Sequence, residues 1–382
     1  MPLLAPVIRA ARLRRDQLQA SLGLAQLSAW RSMMAPRWLP LPAPAGANGH
    51  APRDIQIAVD GTSHTVQLSN GAHFVLAVAA AHGPEYCCNE RGDVEILPAR
   101  YDDSQASSAR DLLMRFLEAL SATQAASSVV ERGEAGRSIL WIDGSLYADL
   151  SHMAGAPEKV HWGAGTERAG RLLETTAALF RRAEESGLWI LGIGKTQRAA
   201  FLFDALTATP MSATRESVEV DGGHPADGEL LATMTVGWSW PVILDGRRFP
   251  ITSGLAKEQL AACPAIISTY VRPHPADLPL RLDVPASAVG FDDRLLPAAA
   301  DASRTWPAWV PDPAVMQPVV RAALAAYGGM SVYNAPLYAV DRLVRLPRRE
   351  LELRFLPVCE RVAGLRPGSL GVDRGRRRFL TT

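Results

Sequence analysis

Two short apolar runs organise the chain. Ile55, Ile57, Ala58 and Val59 lead into Asp60-Gly61-Thr62, and Ile139, Leu140, Trp141 and Ile142 lead into Asp143-Gly144-Ser145. Such runs of strand-favouring residues suit strands covered on both faces. A carboxylate at the end of a buried strand is costly unless it is paired or bound to a metal, and a glycine after it lets the backbone turn sharply. One Asp-Gly alone reads as a hairpin turn. Two copies with matching flanks predict two strands that each end at the motif and bring two carboxylates to one point.

The rest of the pattern fills in around these runs. Residues 66–68 and 74–80 read as the next strands, joined through Asn70-Gly71, so three antiparallel strands are expected. Residues 107–121 read as a helix, with Leu113, Phe116, Leu117 and Leu120 at helical spacing and Glu118 nearly opposite that stripe. A second helix spans 166–186, with Leu172, Leu173, Thr176, Leu179 and Phe180 on one face and Gly187 as its stop. Residues 188–193 form a buried strand, and 266–271 with 280–284 a strand pair. Asp312 caps a further helix with Pro313 in its first turn, and Gly328-Gly329 ends it. Before the first strand, residues 5–34 look helical, with Leu13, Leu18, Leu22 and Leu24 among basic and small residues. Pro36, Pro40, Pro42 and Pro44 then predict a stiff linker that keeps this arm separate from the core. Residues 208–254 are irregular, and Trp238 and Trp240 within them are assigned to core packing ahead of base stacking.

Composition narrows the class. At 382 residues the chain can bury a sizeable core, and 48% hydrophobic with 21% charged residues describes a globular protein. No apolar stretch is long enough to cross a bilayer, and the Met1 end lacks the layout of a signal peptide, so a cytoplasmic location is expected. Cys87, Cys88, Cys263 and Cys359 show no metal-ligand spacing and are read as free thiols. A net charge of +1 excludes a uniformly basic surface, but basic residues cluster at both ends: Arg9, Arg12, Arg14 and Arg15, then Arg374, Arg376, Arg377 and Arg378. Each cluster fits a solvated surface or a phosphate contact equally well. The strand at 188–193 runs into Gly194-Lys195-Thr196, which invites an ATP-binding reading. A phosphate loop needs a glycine five positions before Gly194, and Trp189 stands there.

The two Asp-Gly motifs, in this order and spacing, resemble the NurA-type nucleases, whose second motif is Asp-Gly-Ser-Leu, here Asp143-Gly144-Ser145-Leu146. The resemblance covers about residues 55–344 and implies an α/β, RNase H-like mixed sheet flanked by helices, with an N-terminal helical arm and a C-terminal basic tail. The implied division is 1–48 for arm and linker, 49–346 for the nuclease domain and 347–382 for the extension. Members of the family place a metal-binding Glu on a helix between the two strands. Glu118 matches best, with Glu131 and Glu134 as alternatives. Gly192-Ile193-Gly194-Lys195-Thr196 resembles the family's Gly-x-Ser-Lys-Thr-like stretch, which assigns Lys195, with Arg198 beyond it, to DNA contact, or Lys195 to pairing with a site carboxylate. Arg281-Leu282-Asp283-Val284-Pro285 resembles an Arg-x-Glu/Asp-x-Pro segment, where Asp283 reads first as a partner for Arg281. Near the C-terminus the family has Tyr-Pro, then Leu, then Ala-His. Here Tyr333 and Leu337 match, Asn334 replaces the Pro, and Asp341 stands in place of the metal-binding His.

The resemblance thus implies a catalytic set of Asp60, Glu118, Asp143, Tyr333 and Asp341, four of them carboxylates for two Mn2+ or Mg2+ ions. It also implies a 5′ to 3′ exonuclease with single-strand endonuclease action in DNA-end processing, a homodimer, and a HerA-type hexameric ATPase as partner. The alternative is a catalytically impaired RNase H-like module that grips DNA or that ATPase.

Overall fold

The computed structural model describes residues 4–15, 17, 27–43, 53–146, 163–195, 200–208, 226–232, 234–245, 263–292 and 308–371. The N-terminal segment contributes helices α1 (Leu4–Leu13) and α2 (Leu27–Met34) and a two-residue strand β1 (Trp38–Leu39). A three-stranded antiparallel unit follows: β2 (Ile55–Gln67), β3 (His73–His82) and β4 (Asn89–Leu97). Then come α3 (Asp103–Glu131), β5 (Ser138–Asp143), α4 (Gly163–Ser186), β6 (Trp189–Gly194), α5 (Phe201–Ala208) and α6 (Asp227–Leu231). The C-terminal part supplies β7 (Gly237–Ser239), β8 (Val242–Leu244), β9 (Ile266–Arg272), β10 (Leu280–Pro285) and β11 (Ala308–Trp309). It ends with helices α7 (Gln317–Ala326), α8 (Ala335–Val344) and α9 (Leu356–Val362).

All the strands join one mixed sheet in the order β1-β7-β9-β10-β6-β5-β2-β3-β4, with β8 also on β9 and β11 on β8. β2, β3 and β4 are antiparallel, whereas β5 runs parallel to β2 and β6 parallel to β5. This is the RNase H-like arrangement, with β9 and β10 added antiparallel beyond β6. Alternation along β2 and β5 sorts their residues between two layers. Ile57, Val59 and Leu140 face a core built with Phe116 of α3 and Leu172, Leu173 and Phe180 of α4. Ala58, Ile139 and Trp141 face the opposite core, closed by Val319 and Val320 of α7 and Leu337 and Val340 of α8.

Four expectations change in detail. β2 does not end at Asp60: it continues through Gly61 to Gln67 because β3 pairs with it along its whole second half. The hairpin at Asn70-Gly71 is present, with Gly71 at φ +84° and Asn70 Oδ1 accepting from Ala72 N, but the third antiparallel strand is β4. α3 runs well past both ends of the expected 107–121 helix, and an Asp102–Gln105 capping box fixes its start. The proline-rich stretch is not simply a spacer. Trp30 and Met34 of α2 are buried in the same core cluster as Leu230 and Leu231 of α6, on which α2 packs, and β1 pairs with β7 at the sheet edge. At the other end, Leu351, Leu356 and Leu370 pack with Phe74 and Leu76 of β3.

The buried arm gives a direct test. Met34 is fully buried whereas Leu13 on α1 is 88% exposed. Met34→Ala is expected to lower unfolding free energy by about 2–5 kcal/mol, and Leu13→Ala to change it by less than about 0.5 kcal/mol. Urea unfolding curves with equal midpoints for the two variants would show that α2 is not part of the core.

Candidate active site

The parallel register of β2 and β5 sets the site. Ala58 lies opposite Trp141 and Val59 opposite Ile142, so the next residues, Asp60 and Asp143, stand side by side. Each lies two positions after a residue of the α7/α8 core, so both carboxylates point to the same face of the sheet. Asp143 ends its strand, and Gly144 turns the chain away at φ +115°, where only glycine is at ease. α8 crosses this face over β2 and β5 and brings Asp341 toward the pair.

The charges are coupled. Asp60 is only 7% exposed. Burial first, then the Asp143 and Asp341 carboxylates, push its carboxyl up to about 7, while the Gly61 N–H at 2.8 Å and Lys195 act in the other direction. Lys195 Nζ lies 2.8 Å from Asp143 Oδ2 and 4.2 Å from the centre of the Tyr333 ring. Tyr333 stands close enough to Asp143 to feel its charge. Burial and then the charges of Asp143, Asp60 and Asp341 hold its phenol well above the ordinary range. Asp341 itself is exposed. Asn334, which departs from the family pattern, is the N-cap of α8: its Oδ1 accepts from Leu337 N at 2.9 Å. The Pro position of the motif is therefore used here to start the helix that carries Asp341.

Glu118 approaches from the other layer. Its Oε1 lies 2.7 Å from where a Cβ on Gly61 would sit, so the glycine after Asp60 makes room for this side chain. The two alternatives lie elsewhere. Glu131 is thirteen residues further along the same helix, about 20 Å away. Glu134 accepts from Tyr86 Oη and its carbonyl from Ser138 Oγ, at the far end of β5. Arg198 and the arginines at 374–378 lie outside the described residues. Trp238 is buried, and Trp240 and Trp309 enclose the Arg37 guanidinium at 4.7 and 5.0 Å, so the aromatics of the irregular region are committed to packing.

Asp283 does more than pair with Arg281. Its Oδ1 accepts from Arg281 Nε at 2.8 Å and from Ser268 Oγ at 2.7 Å, and its Oδ2 from Ser145 Oγ at 2.5 Å. Sequence reasoning missed this link to the Asp143 motif. The signal was present in the hydroxyl that follows Asp143-Gly144.

An all-oxygen donor set suits a hard divalent cation, and the mutual repulsion felt by Asp60 is what such an ion relieves. Among the described residues no three Asp, Glu, His or Cys side chains stand close enough to hold an ion as they are, so binding one requires the carboxylates to close in.

Fold and site together define an RNase H-like α/β protein with Asp60 and Asp143 side by side on its two central strands. The chain belongs to the NurA domain family, whose model matches residues 54–346. No curated protein sequence matches it. Among solved structures it is similar to a crystal structure of NurA with manganese, at 10% identity and a TM-score of 0.46, covering 93% of this chain and 97% of that one. It is also similar to the catalytic domain of human endonuclease V, at 13% identity and a TM-score of 0.29, covering 90% and 98%. A third similar structure is Ciona intestinalis endonuclease V with a 24mer DNA containing an inosine followed by a ribo-adenosine, at 9% identity and a TM-score of 0.26, covering 85% and 95%.

The Asp60 environment has a measurable consequence. Its folded pKa of about 7 lies above the ordinary 3.8, so between those values the folded chain keeps a proton that the unfolded chain releases. Stability contributed by this group therefore falls as pH rises through that window, and the penalty is complete above it. In metal-free buffer, Asp60→Asn is expected to melt higher than the wild type at about pH 8 and level with it at about pH 4. Thermal scans showing the variant no more stable at the higher pH would remove the strained carboxylate.

Proposed function

We propose that this NurA-family nuclease hydrolyses DNA phosphodiesters with bound divalent metal. The observation that carries the reading is the convergence of Asp60, Asp143 and Asp341 on one face, with Glu118 entering from the other layer. Asp60 and Asp143 are the central ligands, and Glu118 and Asp341 complete the set. A pair of Mn2+ or Mg2+ ions at such a site supplies an activated water and stabilises the leaving oxygen. The chain's own residues do the rest. Tyr333 stands beside Asp143 as a neutral phenol. Lys195, 46% exposed in its side chain, sits at the mouth of the site, where its charge is available to a backbone phosphate once Asp143 is engaged elsewhere. Arg198 is proposed for the same strand. Family membership supports the finer reading: a homodimer with 5′ to 3′ exonuclease and single-strand endonuclease action, working in the cytoplasm with a HerA-type hexameric ATPase in DNA-end processing.

A second reading, a module that grips DNA or the ATPase without cutting, draws on the absence, among the described residues, of three such side chains close enough to hold an ion. Single-stranded DNA incubated with the protein and Mn2+ separates the two. Cleavage that disappears with EDTA, Asp60→Ala or Asp143→Ala is expected. Retained DNA binding with no cleavage would favour the second reading.

Asp341 tests the departure from the family. Asp341→Asn is expected to lower cleavage by at least about tenfold, whereas Asp341→His keeps it within a few-fold. A residue serving only in an exposed ion pair contributes about 0–1 kcal/mol. Unchanged rates across an Mn2+ titration of Asp341→Asn would take Asp341 out of the site.

A further inference from the structure

Asp283 and Arg281 are buried polar groups on β10, two strands away from Asp143. A buried ion pair adds little to stability against apolar residues of the same size, so its retention asks for another use. Its contacts point to one. Asp283 lies opposite Gly192 of β6 and opposite Ser268 of β9. To reach it, the chain after Asp143 must cross over β6. That crossing is open because Gly192 has no side chain: a Cβ there would stand 2.8 Å from Leu146 Cγ and 2.9 Å from Gly144 O. Gly144 N–H donates to Ile193 O at 2.9 Å, and Ser145 Oγ then donates to Asp283 Oδ2 at 2.5 Å. The carboxylate is held from behind by Ser268 Oγ and by Arg281, whose guanidinium lies 4.8 Å from the centre of the Phe201 ring.

We infer that Asp283, acting through Ser145, is a positioning residue: it pins the turn after β5 and so fixes where the Asp143 carboxylate points. The inference rests on the nuclease reading above. A hydrogen bond to an ionised, buried acceptor is among the stronger ones, and it ties the residue two after Asp143 to the rigid β9–β10 pair. Asp143 has one free turn, at Gly144, between its strand and this anchor. Losing the anchor leaves the strand in place and frees the carboxylate.

The test uses the full chain with Ser145→Ala, Ser145→Thr and Asp283→Asn. Ser145→Ala leaves the Arg281–Asp283 pair intact and is the deciding variant, because Asp283→Asn alters a buried charge and risks the fold. Amide hydrogen exchange is read for residues 143–146 against 138–142. Ser145→Ala is expected to raise exchange roughly tenfold in the first segment and leave the second protected. In Mn2+-dependent cleavage it is expected to lower kcat about 10- to 100-fold with KM for DNA unchanged. Ser145→Thr, which keeps the hydroxyl, is expected to recover both readouts. Unchanged exchange in Ser145→Ala, unchanged kcat despite faster exchange, or failure of Ser145→Thr to recover would each overturn the inference. A wild-type chain that cleaves nothing overturns the nuclease reading itself. A cleaving wild type beside an unimpaired Ser145→Ala overturns the positioning role alone.

Discussion

Like charges held side by side are the constraint on which the rest of this structure depends. Once Val59 pairs with Ile142 in parallel, Asp60 and Asp143 must neighbour each other on one face, and α8 adds Asp341. Strands about 4.8 Å apart leave no way to separate two such carboxylates. The site manages the charge with what surrounds it. Burial and its neighbours push the Asp60 carboxyl up to about 7, Lys195 lies against Asp143, and Tyr333 stays a neutral phenol beside it. Once Asp60 is ionised, Lys195 balances only part of the charge of Asp60, Asp143 and Asp341, and the remaining negative charge favours a divalent cation.

Missing side chains matter as much as those present. Gly61 leaves the space that the Glu118 side chain occupies over β2, on the layer opposite α8. Gly192 opens the path by which the chain after Asp143 crosses β6. Neither glycine has a positive φ, so backbone freedom does not explain them. Steric room does, and each position serves a carboxylate.

The outer elements isolate this centre. α2 packs against α6 and β1 pairs with β7 at one end of the sheet, and the C-terminal helices cover part of β3. Among the described residues β4 is the last strand at the other end of the sheet, and its charged Glu90, Arg91, Asp93 and Glu95 suit an edge strand. Among the described residues no helix is long and apolar enough to cross a membrane.

Periodicity alone determined the two central strands, the α3 and α4 helices and the β9–β10 pair, because local spacing of apolar residues dictates which backbone period can bury them. The repeated Asp-Gly motif also placed two carboxylates at one point, since matching strands place matching residues at matching depth. Other features needed the assembled fold. That β2 runs on through Asp60-Gly61 depends on β3, a partner no local pattern contains. That α2 packs into the core depends on a cavity made by elements far along the chain, and prolines report only local stiffness. That Glu118 lies over Gly61 while Glu134 sits at the far end of β5 follows from helix length and strand direction, which no local pattern contains. Ser145 and Asp283 are separated by 138 positions, and their hydrogen bond exists only because β6 lies between their strands with glycine at the crossing. Sequence encodes which groups are available and their local period, whereas distances between remote groups arise only when sheet order and layer packing bring them together.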